Sequence, residues 1–148
     1  MINISTLTTA LAAALSNSAA LTTLGCTVER STRINFDPAR TPWIGVYPGT
    51  VNTAPKTIGG HSWVDHVSLQ VVAQTASFSN DGTAASDLLE SLAAAISDVV
   101  NSDLTFGIST ARVMSFEREY RYVVFDDSGS GDLFMPQVII KLQLEVRT

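Results

Sequence analysis

Residues 83–101 are the most strongly patterned stretch of the chain, and their apolar positions recur with the period of an α-helix. At 100° per residue the apolar side chains share one broad face, and Asp87, Glu90 and Asp98 lie opposite. The apolar members are Leu88, Leu89, Leu92, Ala95, Ile96, Val99 and Val100. Thr83 is the predicted N-cap. A helix of about five turns with one wide apolar face needs a flat apolar partner, and this predicts a helix laid on a sheet.

Three segments, one before this helix and two after it, alternate with the period of a β-strand and supply that sheet. Residues 62–77 form the first strong strand, with Val67, Leu69, Val71 and Ala73 on its buried face. Residues 112–125 and 138–146 are predicted to pair as an antiparallel hairpin. Met114, Phe116, Tyr120, Tyr122 and Val124 are expected on the apolar face of one strand, and Val138, Ile140, Leu142, Leu144 and Val146 on that of the other.

The region between residues 27 and 60 carries weaker signals. Residues 27–35 are consistent with an edge strand, and residues 43–47 with a short strand that closes at Pro48 and Gly49. Residues 49–60 lack periodicity, and this predicts a long loop.

The N-terminal segment is predicted to be a second helix, and its first 28 residues contain no charged side chain. Its apolar stripe consists of Ile4, Leu7, Leu11, Ala14 and Leu15, and Gly25 ends the segment. Only small neutral residues, including Ala12 and Ala13, lie on its back. That back is either a contact with another subunit or a modestly exposed surface of a protein with little charge.

These elements occur in the order helix, three strands, helix, two strands. At 148 residues the chain is expected to form a single domain, 1–148. The fold class is therefore α+β, a mostly antiparallel sheet packed by one long helix (about 83–101) and an N-terminal helix.

Charge and cysteine content exclude several classes of protein. The formal net charge is -5, and residues 57–111 contain six carboxylates but no Lys or Arg, which disfavours binding to nucleic acid. The single cysteine, Cys26, excludes an internal disulfide and fits a reducing cytoplasm. Residues 7–15 resemble a signal-peptide core, but no basic residue precedes them and they are too short to span a membrane.

The sequence predicts no catalytic, cofactor-binding or metal-binding residues, and therefore no enzyme. His61 and His66 are expected on opposite faces of a strand, and Asp126, Asp127 and Asp132 on a solvated hairpin tip. Glu117 and Glu119 share one strand face. Arg121, with Lys141 or Arg147 across the sheet, is expected to neutralise them as an ordinary charge ladder rather than leave an acid/base pair. Trp43, Tyr47 and Trp63 are interface anchors or core residues.

Residues 42–49, Pro-Trp-Ile-Gly-Val-Tyr-Pro-Gly, give the chain a family resemblance. Together with an N-terminal helix ending at Leu24-Gly25, a Leu-rich helix over 87–100 and the closing strands at 112–125 and 138–146, the chain resembles the tail terminator (tail completion) proteins of long-tailed bacteriophages. The resemblance covers nearly the whole chain and rests on element order and size.

The resemblance implies a non-enzymatic virion protein that assembles in the host cytoplasm, without a cofactor or membrane contact. Such proteins form a ring, usually of six copies, on the head-proximal end of the tail tube. The ring ends tube polymerisation, docks the head-completion connector, meets the sheath in contractile tails, and lets DNA pass through its lumen. On this basis Trp43, Tyr47, Trp63, Ala12 and Ala13 are candidate interface residues, and Asp87, Glu90 and Asp98 are candidate lumen residues.

Two other functions remain open. The chain could be another head–tail connector or stopper component. It could also be a monomeric ligand-binding α+β domain with a pocket beneath residues 49–60, in which case a deep cavity containing His61 or His66 and a convergent carboxylate is expected.

Overall fold

A five-stranded sheet with three helices packed against one face forms the framework of the molecule. The structure, a computed structural model, describes residues 2–30, 37–55, 63–77, 82–125 and 133–147. Strands follow the order β1-β2-β3-β5-β4, and all neighbours are antiparallel except β1 and β2. The elements are α1 (Ile4–Ser16), α2 (Ala19–Thr23), β1 (Thr27–Arg30), a 3-10 turn (Pro38–Arg40), β2 (Trp43–Pro55), β3 (Trp63–Gln74), α3 (Thr83–Ser102), β4 (Ala111–Phe125) and β5 (Leu133–Arg147).

The helix α3 lies on β3 and β5, which confirms the predicted helix on a sheet and the α+β class. Its inner face buries Leu89, Leu92, Ile96 and Val100. The predicted N-cap is wrong, because Gly82 takes that position and makes no side-chain capping bond. The ring of Phe134 fills the space where a side chain would sit: a Cβ on Gly82 would lie 2.6 Å from Phe134 Cδ1.

The central strands β3 and β5 confirm the predicted alternation. All four apolar residues predicted on β3 and all five predicted on β5 are buried on the helix-covered face. The register pairs them across the sheet, Leu69 with Leu142 and Val71 with Ile140. These residues form one continuous core with Leu7, Leu11 and Leu15 of α1 and the inner face of α3.

The predicted loop at residues 49–60 is wrong in its first half, because β2 continues to Pro55; residues 56–60 lie outside the described residues. A bulge between Pro48 and Val51 accommodates the turn-forming residues inside the strand. A Cβ on Gly49 would lie 2.5 Å from the carbonyl oxygen of Ser68, and the Thr50 N–H donates to Ser68 Oγ over 2.7 Å. Pro48 and Gly49 therefore mark an irregular strand rather than its end.

A second bulge, between Val113 and Ser115, changes which side chains of β4 face the core. Ala111 and Val113 are buried, Phe116 and Tyr120 are half-buried, and Met114 is 60% exposed. The prediction that Met114 and Tyr122 are core residues is therefore wrong, since Tyr122 is 64% exposed as well. The side chain of Val124 lies outside what the structure describes.

The N-terminal segment divides into α1 and α2 at Asn17 and Ser18, and Ser18 caps the second helix. A buried carboxylate holds the beginning of the segment on the sheet. Asp65 accepts hydrogen bonds from the Thr53 hydroxyl (2.5 Å) and the Ile2 N–H (3.1 Å). The Thr53 bond is the main reason why the pKa of Asp65 lies below its ordinary value, despite burial. The charged form of Asp65 therefore anchors α1 above β1 and β2.

Candidate assembly surfaces

The exposed back of α1 is uncharged, and of the two strands that α1 contacts, β2 has no charged side chain and β1 has two, Glu29 and Arg30. Ala13 is exposed and Ala12 is half-buried. Residues 2–28 and 41–55 contain no charged side chain, in a chain that is 16% charged overall. Arg30, which follows the first of these segments, bonds back to α1 through Ser5 Oγ (2.7 Å) and Thr9 Oγ1 (2.8 Å). Depletion of charge is the compositional signature of the buried centre of a protein interface.

The outward face of α3 is acidic. Asp87, Glu90 and Asp98 are exposed, and no ion pair joins them to Lys or Arg among the residues that the structure describes. Just beyond the helix, Asp103 accepts bonds from the Thr105 hydroxyl (2.6 Å), the Thr105 N–H (2.9 Å) and the Gly107 N–H. These bonds lower the pKa of Asp103 and favour its charged form. This surface repels phosphate.

The opposite face of the sheet carries a ladder of charges on β4 and β5. Lys141 Nζ lies 3.1 Å from a Glu119 carboxylate oxygen and 3.7 Å from one of Glu117, and Arg121 contacts Glu119 at 3.3 Å. Lys141, followed by Arg121, lowers the pKa of Glu119, and Glu119 raises the pKa of Lys141. A proton-transfer pair needs a carboxyl group with a raised pKa, so this arrangement is the predicted charge ladder. Arg147 is not part of it, because it pairs with Glu145.

The three aromatic residues proposed as interface anchors occupy different environments. Trp43 is 1% exposed, and its ring meets that of Tyr47 edge to face with centroids 6.4 Å apart. Trp63 is 46% exposed and lies opposite Pro55 at the far end of the β2–β3 pair. Burial within the chain matches the core alternative for Trp43, whereas Trp63 is exposed.

Sequence reasoning missed three exposed hydrophobic side chains that lie on the outer strands of the sheet. Val51 on β2 is 41% exposed, and Met114 and Tyr122 on β4 are more so. Tyr122 stacks in parallel on Phe134 with ring centroids 6.1 Å apart. Pattern alone assigned Met114 to the core because the alternation of β4 gives no sign of the bulge. Tyr122 keeps the phase of Phe116 and Tyr120 beyond the bulge and is exposed nonetheless.

A groove of about 340 Å³ separates the α1–α2 junction from the end of α3. Ala14, Ala95, Asp98 and Phe106 contribute to its lining. Among the described residues, the titratable side chains that line this groove are Asp98 and Asp103. His66 does not line it and is exposed on β3. His61 lies outside the described residues. The described residues also contain no group of three His, Cys, Asp or Glu that could hold a metal ion. The Asp126, Asp127 and Asp132 tip lies outside the described residues.

The fold and surfaces define a class of protein: an α+β domain with one helix-covered sheet face, an uncharged back on α1 and an acidic outward face on α3. The sequence matches no protein-family profile and no curated protein sequence. Among solved structures, the chain is similar to a chain of a structure described as "Virion of native gene transfer agent (GTA) particle", with a TM-score of 0.47 and 16% identity over 94% of each chain. No helix in the described part of the chain combines the length and the apolar character needed to cross a membrane.

Proposed function

We propose that this chain is a structural subunit of a phage-like virion and that it forms the tail terminator ring at the neck. The observation that carries the proposal is the element order. The sequence resemblance rests on a helix, three strands, a Leu-rich helix and two closing strands, and the structure has these elements in this order across the chain. Among the described residues the additions are the short helix α2 and the 3-10 turn Pro38–Arg40.

The surfaces support an assembly role. Repeating one heterologous contact by rotation closes a ring, and such a contact requires a surface that tolerates burial. The uncharged back of α1, with Ala12 and Ala13, meets that requirement. Asp87, Glu90 and Asp98 would make a lumen lined by α3 unattractive to DNA, so that DNA passes without specific binding.

Mass measurement and tube capping test the proposal together. Native mass spectrometry should show a hexamer of about six times 15.8 kDa, in solution or on purified tail tubes. Added to polymerising tube protein, the chain should limit tube length and appear at one end in electron micrographs. A chain that remains monomeric and leaves tube length unchanged would refute the proposal.

Position in the particle separates this function from its nearest alternative. A head–tail stopper would bind the head-side connector and leave tube length unaffected, whereas a terminator acts on the tube in the absence of heads. Loss of the chain should therefore give overlong tails for a terminator, and normal tails detached from heads for a stopper.

The groove between α1, α2 and α3 is not the pocket beneath residues 49–60 that the ligand-binding alternative predicts, but its volume lies at the lower end of ligand sites and gives that alternative a place to be tested. A small-molecule screen that raises the melting temperature of the wild-type chain, with the increase lost in Ala95→Trp, would support that function. A ring without ligand-dependent stabilisation would contradict it.

A further inference from the structure

The groove between the α1–α2 junction and the end of α3 combines apolar walls with an acidic rim. It is formed by residues 14–20 and 95–106, which the structure describes throughout, and its volume is about 340 Å³. Ala95 and Phe106 contribute buried apolar surface, and Val99 contributes half-buried surface. One turn of α-helix, about 10 Å wide with a pitch of about 5.4 Å, occupies roughly 420 Å³. The groove therefore encloses a long side chain rather than a segment of helix.

Two carboxylates and two helix ends make this groove attractive to a cation. Asp98 and Asp103 are exposed in its lining, and neither forms an ion pair with another described residue. At the groove α1 ends at Ser16 and α3 ends at Ser102, and neither helix has a basic residue in its last turn. The C-terminus of a helix carries about half a negative charge. Both helix ends and both acids thus act on the same space.

Arginine is the side chain that this chemistry fits best. The aliphatic stem of a long basic side chain packs on apolar surface while its charged end stays near the rim. A guanidinium group pairs with carboxylates through two parallel hydrogen bonds and is more weakly hydrated than the ammonium group of lysine. Arginine is also enriched at protein interfaces, where lysine is depleted. The groove is therefore suited to an arginine that another chain presents.

The outermost strand, β4, has two exposed arginines that form no ion pair among the described residues, Arg112 and Arg118. The other described cations are bonded within the chain: Arg30 to Ser5 and Thr9, Arg40 to Glu29, Arg121 and Lys141 to Glu119, and Arg147 to Glu145. In the register of the sheet Arg112 lies opposite Glu145, whereas Arg118 lies opposite Ile140. Arg118 therefore has no carboxylate across from it.

Arg118 lies on the helix-covered face of the sheet, because its register partner Ile140 is buried in the core on that face. It is exposed there, since β4 is last in the strand order and α3 lies over β3 and β5. Glu90 of α3 is engaged elsewhere on the strand: burial and then a hydrogen bond to the Glu90 carboxylate raise the pKa of Tyr120. Arg118 is thus an exposed cation beside the helical layer.

From these observations we infer that Arg118 of one copy binds the groove of a second copy, with its guanidinium group at Asp98 and Asp103. The groove and Arg118 are different surfaces of one chain, so each copy can bind one neighbour through each. Such a heterologous contact, repeated by rotation, closes a ring. The inference deepens the proposed function and rests on it. It uses Asp98, near the end of α3, and leaves Asp87 and Glu90, nearer its beginning, as lumen candidates.

Two charge-reversal variants test the contact. Asp98→Arg places a cation in the groove, and Arg118→Asp places an acid on β4; both positions are exposed, so both variants are expected to fold. The matched controls make the same changes of charge on the same two elements, Asp87→Arg on α3 and Arg112→Asp on β4. Circular dichroism and melting temperature verify the fold of all four variants.

Sedimentation and native mass spectrometry should show that each reversal variant self-associates about tenfold more weakly than the wild type, because an attraction across the contact becomes a repulsion. Mixing Asp98→Arg with Arg118→Asp should give complexes that contain both chains in equal numbers, beginning with a dimer of about twice 15.8 kDa. The reason is that Arg118 of the first variant meets the unaltered groove of the second. Wild-type association should weaken between about 0.1 M and 1 M salt. The controls should assemble as the wild type does.

Folded reversal variants that assemble normally, or a mixture in which both variants remain monomeric, would overturn the inference alone and leave the terminator function standing. If Asp98→Arg keeps its self-association but loses its binding to tail tubes, the groove binds a different virion protein, which also overturns the inference. A wild-type chain that stays monomeric at ~1 mM and on tail tubes would overturn the contact and the ring together. Wild-type chains that associate through this contact but do not cap tubes refute only the terminator function.

Discussion

Replacement of Gly45 by alanine should destabilise the fold because the new methyl group would clash with the rings of Trp43 and Tyr47. A Cβ at this position would lie 2.3 Å from Trp43 Cη2 and 2.9 Å from Tyr47 Cε2. Ordinary contact between carbon atoms begins near 3.5 Å, so one of the rings must move by about 1 Å or more. Gly45 has no positive φ, so the alanine backbone itself is unstrained and the effect is steric alone.

The buried state of Trp43 sets the size of the effect. Its indole is 1% exposed and has no open space to move into. Overpacking of a filled site costs about 1–3 kcal/mol, and we expect Gly45→Ala to lower the free energy of unfolding by about 2 kcal/mol. For a domain of this length that corresponds to a decrease of about 4–8 °C in melting temperature.

Urea unfolding followed by far-ultraviolet circular dichroism measures the change. In a Trp43→Phe background the colliding Cη2 atom is absent, so the cost of Gly45→Ala should fall by at least about 1 kcal/mol. Gly25→Ala is the matched control, because Gly25 has φ +74° and nothing within 4 Å of a Cβ. It should cost about 1 kcal/mol in either background, since its strain comes from the backbone alone. A Gly45→Ala variant within 0.5 kcal/mol of the wild type, or a cost unchanged by Trp43→Phe, would refute the reasoning.

Three further perturbations have defined outcomes. Asp65→Asn should lower the free energy of unfolding at pH 7 by about 1.5–3 kcal/mol. Because the pKa of Asp65 is depressed in the folded state, the wild type should lose this advantage as the pH falls below about 4. A difference between the two proteins that stays constant across that pH range would show that the charged form of Asp65 does not anchor α1. Leu92→Ala, on the fully buried face of α3, should cost about 2–5 kcal/mol in urea unfolding, against less than about 0.5 kcal/mol for the exposed Ser91→Ala. Lys141→Gln should raise the pKa of Glu119 towards its ordinary value in a carboxyl NMR titration, and an unchanged pKa would show that the pair does not form in solution.

Long segments with a single dominant period were predictable from sequence. The helix α3 and the strands β3 and β5 bury one face completely, so selection for apolar residues at every second or every third to fourth position is strong there. The errors in β2 and β4, a strand predicted as a loop and a wrongly assigned Met114, have a physical cause. Each contains a bulge, which changes the phase of the alternation, and nothing in the local sequence of β4 distinguishes Met114 from a buried residue.

Some of the surface assignments needed coordinates and others did not. Exposed carboxylates on α3 follow directly from the helical period. The burial of Trp43 could have been inferred from the sequence, because Trp43, Gly45 and Tyr47 share one strand face and a glycine between two aromatic residues leaves room for a ring. The packing of the uncharged helix α1 against β1 and the uncharged strand β2 depends on strand order, and a single sequence does not specify that order.

The position of β5 between β3 and β4 has a consequence for biosynthesis. This strand is translated after the other four, yet among the described strands β4 pairs with β5 alone. While a ribosome is still extending the chain, β4 therefore has no neighbouring strand to pair with, and the core lacks the buried residues of β5. A nascent chain completes this sheet only once translation has passed Arg147.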